Sequence, residues 1–148
     1  MIQELTKTLS KLKSEACLVP CERITWDDED AYNVDTDKQM LASDFNWYAM
    51  SFPLASIGDA DFYEYLGDWA FEQLSLDESA KIDENSQEAV WAMIEAGLDI
   101  HTPVELALAY QPYYEEERLH IADGWHRIGL YIKAGRTEIP ALVGFPKS

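Results

Sequence analysis

Residues suited to phosphate and proton chemistry meet at one predicted turn, in the segment ADGWHR of residues 122–127. The run before it, RLHIA, is typical of a strand, and the run after it predicts a helix over 125–134 that stops at Gly135. The first N–H groups of such a helix have no intrahelical acceptor and lie at the positive end of the helix dipole. A strand-to-helix turn of this kind can therefore bind an anion.

Each side chain of this turn has a role that fits a bound phosphate. Gly124 allows the backbone to come close or to take a positive φ. Arg127 offers a planar, charged fork to phosphate oxygens, and His126 can donate a hydrogen bond or carry a proton near neutral pH. Asp123 can accept a proton from a hydroxyl nucleophile or hold a divalent cation. Asp123 and His126 are therefore the candidate catalytic residues.

The same turn also fits a purely structural role. Asp123 would then cap the helix, Gly124 would serve the turn, and Arg127 would pair with an acidic neighbour. A metal site is not predicted, although His120, Asp123 and His126 recur every three residues. The first is expected on the strand and the last on the helix, so their side chains need not converge on one ion.

Helical and strand-like patterns alternate around this turn, which predicts an α/β fold of the α+β type. We expect one domain whose helices pack on a small mixed sheet. The aromatic and apolar residues of the second helix recur at helical intervals and are expected to form core. The patterns predict helices over 2–14, 59–76, 86–97 and 125–134, and strands over 17–26, 46–53, 102–110, 118–122 and 138–144.

The chain is predicted to be organised in three stretches of one globular domain. Residues 1–24 form an N-terminal helix and an edge strand interrupted by Pro20, residues 25–46 form an acidic surface loop, and residues 47–148 form the main domain. Cys17 and Cys21 are expected on one face of that edge strand, too far apart for a disulfide. We expect both to be reduced thiols.

Charge is concentrated in the middle of the chain. Of the formal net charge of −17, residues 25–100 contribute the whole, with nineteen Asp and Glu against two Lys. Such a region repels a nucleic-acid duplex, so direct DNA binding and nuclease activity are disfavoured. Its acidity serves solubility, or else the aromatic and acidic surface of residues 59–88 docks a basic protein partner or imitates nucleic acid, as inhibitors and immunity proteins do.

Targeting signals are not seen in the sequence. No window reaches the roughly 18 consecutive apolar residues that span a bilayer, and the N-terminus lacks the apolar stretch of a signal peptide. The expectation is a cytoplasmic protein without membrane contact.

The turn and its flanks resemble the ParB/sulfiredoxin superfamily. The segment HIADGWHRIGLYIKAGRTEIPALV, residues 120–143, is similar to that superfamily's strand, D-G-x-H-R loop, helix, glycine stop and final IPA-type strand. Two further pieces are similar to its upstream helix with G-x-x-x-x-P-V and to its opening strand, namely AVWAMIEAGLDIHTPVELAL, residues 89–108, and YAMSFPLASI, residues 48–57. Together they span residues 48–143. Such a stand-alone acidic member would fit a phage or plasmid protein.

The resemblance implies a nucleotide cofactor. The matched loop is similar to one that holds CTP in ParB proteins, ATP in sulfiredoxins and ADP in free serine kinases. It implies that Gly124, His126 and Arg127 lie at the phosphates of ATP, ADP or CTP with Mg²⁺, with Asp123 catalytic or beside the metal. Trp125, between them in the turn, is also expected to contact the nucleotide. Thr102 is expected to reach the nucleotide. The activity implied is phosphoryl transfer or nucleotide hydrolysis.

Two departures from the superfamily narrow this expectation. Sulfiredoxins carry a reactive cysteine where this chain has Trp125, so the sulfinic-acid repair reaction would have no nucleophile. ParB proteins usually add a helix-turn-helix domain, whereas about five residues follow the last predicted strand here. We therefore predict a nucleotide-binding domain that is neither a sulfiredoxin nor a DNA-binding partition protein.

Overall fold

The structure is a computed structural model. It describes residues 2–24, 32–35, 38–40, 42–57, 60–74, 87–99, 102–111 and 116–147. The described chain contains both helices and a mixed sheet, so the predicted α+β class is confirmed. Its elements are α1 (Ile2–Glu15), β1 (Cys17–Val19), β2 (Tyr32–Asp35), β3 (Lys38–Met40), β4 (Phe45–Pro53), α2 (Ala60–Glu72), α3 (Gln87–Glu95), β5 (Val104–Gln111), β6 (Glu116–Asp123), α4 (Trp125–Lys133) and β7 (Glu138–Pro146).

Five strands form the main sheet in the order β1-β4-β7-β5-β6. Strands β1 and β4 are antiparallel, and so are β5 and β6. Strands β5 and β7 are parallel, with Val104 opposite Ala141 and Ala107 opposite Gly144. The connection between these two parallel strands contains β6 and α4. The strand that ends at Asp123 is therefore an edge strand, and α4 follows it after one residue.

The chain forms two compact units that are interleaved along the sequence. The first, the sheet unit, comprises Met1–Phe52, Val104–Asp123 and Pro140–Ser148, and the second, the helical unit, comprises Pro53–Pro103 and Gly124–Ile139. Trp47 is central to the sheet unit, because its ring lies against Gly144 and its indole N–H donates to the carbonyl of Ala42 at 2.9 Å. The core around it consists of Ala42, Phe45, Trp47, Ala107 and Leu142.

In the helical unit, α2 and α4 cross at close range. Gly129 of α4 leaves no room for a side chain, since a Cβ there would lie 2.4 Å from Cβ of Ala70 and 2.5 Å from the carbonyl oxygen of Leu66. Five consecutive residues of α4, from Ile128 to Ile132, are buried. A helix that is covered on all sides by neighbours needs apolar residues all round, as α4 has over this stretch. The N-terminal end of α4 is thereby held against α2.

Most predicted helices and strands are found close to their predicted bounds. Helices α1, α2, α3 and α4 and strands β4, β5 and β7 each lie within the matching prediction or within a few residues of it. Gly97 and Gly135 have positive φ, 82° and 79°, where the sequence predicted helix stops. Residue 86, where the third predicted helix begins, lies outside the described residues.

The acidic stretch 25–46 was wrongly predicted as loop. Strands β2 and β3 pair there in an antiparallel ladder, with Tyr32 opposite Met40. Tyr32 and Val34 alternate with polar residues, which is the period of a strand. The pattern is short, and the surrounding aspartates favoured the prediction of a loop. Strand β6 also begins at Glu116, two residues earlier than predicted, because the partner strand β5 continues to Gln111 and supplies hydrogen-bonding groups.

Two predictions about side chains also need correction. Cys21 is not on a strand with Cys17, because β1 ends at Val19 and Cys21 begins a 3-10 turn after Pro20, which cannot donate to a ladder. Neither cysteine forms a disulfide. Tyr65, expected in the core with the other rings of α2, is 63% exposed, while Leu66 beside it is buried. Among the described helices, none is long and apolar enough to cross a membrane.

Candidate anion site at the start of helix α4

The start of α4 has the backbone geometry that the sequence predicted for an anion-binding turn. Gly124 is the N-cap residue and has φ 107° and ψ 28°, in the left-handed region where a side chain is strained. The first intrahelical hydrogen bond runs from the N–H of Ile128 to the carbonyl of Gly124 at 2.9 Å. The N–H groups of Trp125 and His126 precede this bond and so have no intrahelical acceptor.

The structural alternative for this turn had Asp123 as the capping residue. Gly124 occupies the N-cap position, one residue after Asp123, which is the last residue of β6. Capping by Asp123 stays a prediction. The backbone geometry of a helix terminus of this kind is suited to binding an anion.

Arg127 connects the start of α4 to Thr102, which was also predicted to belong to the site. Its Nη1 donates to the carbonyl oxygens of Thr102 at 2.5 Å and Pro103 at 3.2 Å. The guanidinium therefore joins the segment before β5 to the first turn of α4. These two contacts are compatible with both predicted roles of Arg127, a phosphate contact and an acidic partner, and each stays a prediction. Thr102 is exposed beside it.

His126 packs on an aromatic ring of α2. The imidazole and the indole of Trp69 have centroids 4.6 Å apart and planes inclined by 33°. Both residues are half-buried. This contact fixes the orientation of the His126 ring, and a ring held in this way can present a nitrogen to a ligand without first losing rotamer freedom.

Trp125 is the most exposed residue of the turn. Its ring meets Phe62 of α2 edge-on, with centroids 6.2 Å apart and planes at 76°. Even with this contact, 45% of Trp125 remains exposed. No local sequence pattern pairs Phe62 or Trp69 with the turn, although their spacing of seven residues predicts one face of α2. Which helix meets that face depends on tertiary packing.

Asp123 lies in the sheet unit at the end of β6. It pairs with Glu105 of β5 across an antiparallel ladder whose register shifts between Glu105 and Leu106. Glu105 is 1% exposed, and a buried carboxylate is costly unless polar or charged groups compensate it. Sequence reasoning missed Glu105, but a charged residue inside the apolar run VELALA was a signal that could have drawn attention to it.

Metal ligands do not cluster in the part of the chain that the structure describes. No group of three or more His, Cys, Asp and Glu side chains there is arranged to hold an ion. His120 is buried on β6 opposite Ala107, whereas His126 is on α4. A Mg²⁺ ion that binds together with a nucleotide needs fewer protein ligands, because its ligands are usually one or two carboxylates together with phosphate oxygens and water.

Comparison with protein-family models, with curated proteins and with solved structures gave no significant match.

Proposed function

We propose that the turn Gly124–Arg127 binds the phosphates of a nucleotide, ATP, ADP or CTP, with Mg²⁺. The observation that supports this most directly is the left-handed glycine cap of α4, with two backbone N–H groups ahead of the first intrahelical hydrogen bond. Those groups and the helix dipole favour an anion. The resemblance of the turn to the nucleotide loop of the ParB/sulfiredoxin superfamily supports the same ligand.

In this proposal Arg127 acts both by charge and by position. Its guanidinium has five N–H donors, and Nη1 carries two of them. Through Nη1 it holds the carbonyls of Thr102 and Pro103 near the first turn of α4. Its permanent positive charge lies at the same turn, where it offsets part of the negative charge of a bound phosphate.

The sequence and the resemblance extend this proposal to phosphoryl transfer or hydrolysis. In that reaction Asp123 would accept a proton from an attacking hydroxyl or water, or contact Mg²⁺, and His126 would donate a hydrogen bond or proton to a phosphate oxygen. Mg²⁺, when bound, neutralises charge that develops on the phosphates. It also lowers the repulsion between a nucleotide and a chain of net charge −17.

Calorimetric titration with ATP, ADP and CTP, with and without Mg²⁺, tests nucleotide binding. The unmodified protein should bind at least one of them, and Arg127→Ala should weaken that binding by about tenfold or more, because a hydrogen bond to a charged group contributes about 1.5–3 kcal/mol. Circular dichroism establishes whether the variant is folded.

Arg136→Ala is the matched control for Arg127→Ala. Arg136 also donates to a backbone carbonyl, that of Leu98, and pairs with Asp99, but it follows α4 instead of preceding it. Its removal should leave nucleotide affinity within about twofold, since it is not at the anion-binding end of the helix. If the unmodified protein binds none of the three nucleotides, the proposed function is wrong.

A row of carboxylates favours a second function, docking of a basic protein partner. Glu64, Asp68 and Glu72 of α2 are all exposed and recur every four residues, so they lie along one face of the helix. Lys133 pairs with Asp68 at 2.8 Å. Like charges at this spacing destabilise a helix slightly, and a basic partner that covers the row would relieve that repulsion. This row forms part of the predicted partner surface, residues 59–88.

Charge reversal tests whether the carboxylate row docks a partner. Glu64→Lys with Glu72→Lys should reduce retention of a basic protein recovered from host lysate, and that retention in the unmodified protein should fall steeply with salt. Glu95→Lys is the control, since Glu95 is an exposed carboxylate on α3. Equal retention by the double variant and the control would show that α2 is not the docking face. Asp77 and Glu78, the other predicted contacts, lie outside the described residues.

A further inference from the structure

Five rings lie on α2 and at the start of α4 in the helical unit, and we call them together the aromatic surface. Its members are Phe62, Tyr65 and Trp69 on α2 and Trp125 and His126 on α4. Contacts between the helices join it at two points, Phe62 with Trp125 and Trp69 with His126. Tyr65 is three residues from Phe62 and four from Trp69, so it lies next to both on α2.

This aromatic surface is more exposed than packing of the helices requires. In the described part of the chain, four large hydrophobic residues are strongly exposed, Leu18, Tyr65, Leu98 and Trp125, and two of them belong to it. Tyr65 is 63% and Trp125 45% exposed. Leu66 and Ala70 are buried on the same helix and account for the packing of α2 on α4. Exposed rings that adjoin one another mark a binding surface.

We propose that the aromatic surface stacks the base of the nucleotide whose phosphates lie at the start of α4, an inference that rests on the proposed function. Trp125 belongs to both features, because its N–H is one of the groups at the helix terminus and its ring is exposed on the surface. A ligand that uses both must join an anionic group to a flat ring. A nucleotide has this chemistry, since every base presents a π-face to an aromatic side chain.

The packing of the rings assigns each a separate part in base binding. Trp125 and Tyr65 expose the most area and provide the stacking faces. Phe62 meets the indole of Trp125 edge-on and holds it in place, an arrangement that aromatic pairs prefer. Trp69 supports the ring of His126 from the other side of the turn. The rings therefore need little reordering when a base binds.

Charge near the aromatic surface selects a single nucleotide over a nucleic-acid strand. Tyr65 adjoins the exposed carboxylates Glu64 and Asp68 on α2. A strand that continued beyond one nucleotide would bring further phosphates close to them, and like charges repel. Mg²⁺ cancels part of the negative charge of one nucleotide, and a single nucleotide brings no further phosphates beyond its own. Because stacking tolerates any base, ATP and CTP should bind with affinities within about tenfold of each other.

Comparison of three ligands separates base binding from phosphate binding. Calorimetry with inorganic pyrophosphate, with adenosine and with ADP in the presence of Mg²⁺ should show ADP to be the tightest. Trp125→Ala should weaken ADP by about tenfold, because stacking on one aromatic ring contributes about 1–3 kcal/mol per base. It should weaken pyrophosphate much less, because the substitution keeps the backbone N–H of residue 125. Trp125→Phe should retain most of the ADP affinity. Leu98→Ala removes an equally exposed side chain as the control.

Each result distinguishes this inference from the proposed function. If ADP and pyrophosphate bind equally and Trp125→Ala changes neither, base stacking is overturned while phosphate binding stands. If adenosine binds, and its binding is weakened by Trp125→Ala and not by the control Leu98→Ala, the aromatic surface binds a base even when pyrophosphate does not bind. If none of the three ligands binds, and ATP and CTP do not bind either, both are wrong. Circular dichroism establishes whether the Trp125 variants are folded.

Discussion

Trp47→Ala is expected to lower the free energy of unfolding by about 3–5 kcal/mol, the range for truncation of a buried large aromatic residue. Trp47 is 1% exposed and lies against Phe45 and Gly144 in the core of the sheet unit. Its replacement removes that packing and the hydrogen bond to the carbonyl of Ala42. Because small domains are stable by only about 5–15 kcal/mol, the loss is a large share of the total. Urea unfolding followed by circular dichroism measures it.

Two variants identify the source of the loss at Trp47. Trp47→Phe keeps an aromatic ring but removes the N–H donor to Ala42, so it should cost about 1–3 kcal/mol, less than the alanine variant. Trp125→Ala truncates the same residue type at a position that is 45% exposed and contacts Phe62, so it should cost about 1 kcal/mol, clearly less than Trp47→Ala. Similar losses for Trp47→Ala and Trp125→Ala would contradict the burial of Trp47 in this core.

Local sequence patterns were sufficient to predict most of the elements. The helical spacing of α2 and α4 and the glycines at 97 and 135 are short-range signals, and the corresponding helices and positive φ angles are found. The hairpin of β2 and β3 was missed, because its strands are four and three residues long and surrounded by aspartates. So short a pair depends on the partner strand and on neighbours distant in sequence, which a local window does not contain.

The candidate site was predictable only in part, for a related reason. The conformation of Gly124 follows from a strand that runs directly into a helix, so the turn itself could be predicted. The contacts of Arg127 with Thr102 and Pro103 join positions about 25 residues apart in sequence. The meeting of Trp69 with His126 depends likewise on how α2 crosses α4. No periodicity within one segment determines such contacts.

Gly129→Ala is expected to destabilise the protein by about 1–3 kcal/mol, although alanine normally stabilises a helix interior by about 1 kcal/mol relative to glycine. The added Cβ would lie 2.4 Å from Cβ of Ala70 and 2.5 Å from the carbonyl oxygen of Leu66, so α2 and α4 must move apart. A lower free energy of unfolding for Gly129→Ala would therefore indicate that α2 and α4 cross at this close range. Urea unfolding of the two proteins measures it, and a variant as stable as the unmodified protein would contradict so close an approach.

A second substitution shows whether the crossing causes the loss. Ala70→Gly in the Gly129→Ala background removes the nearer contact but leaves that with Leu66, so stability should recover in part and the two effects should not add. Gly135→Ala is the control, because Gly135 has φ 79° and open space around it, and Ala70→Gly should not rescue its stability.

If nucleotide binds as proposed, Gly129→Ala should also weaken nucleotide binding. Separation of α4 from α2 would pull Trp125 from Phe62 and His126 from Trp69, so the site loses its aromatic support together with stability.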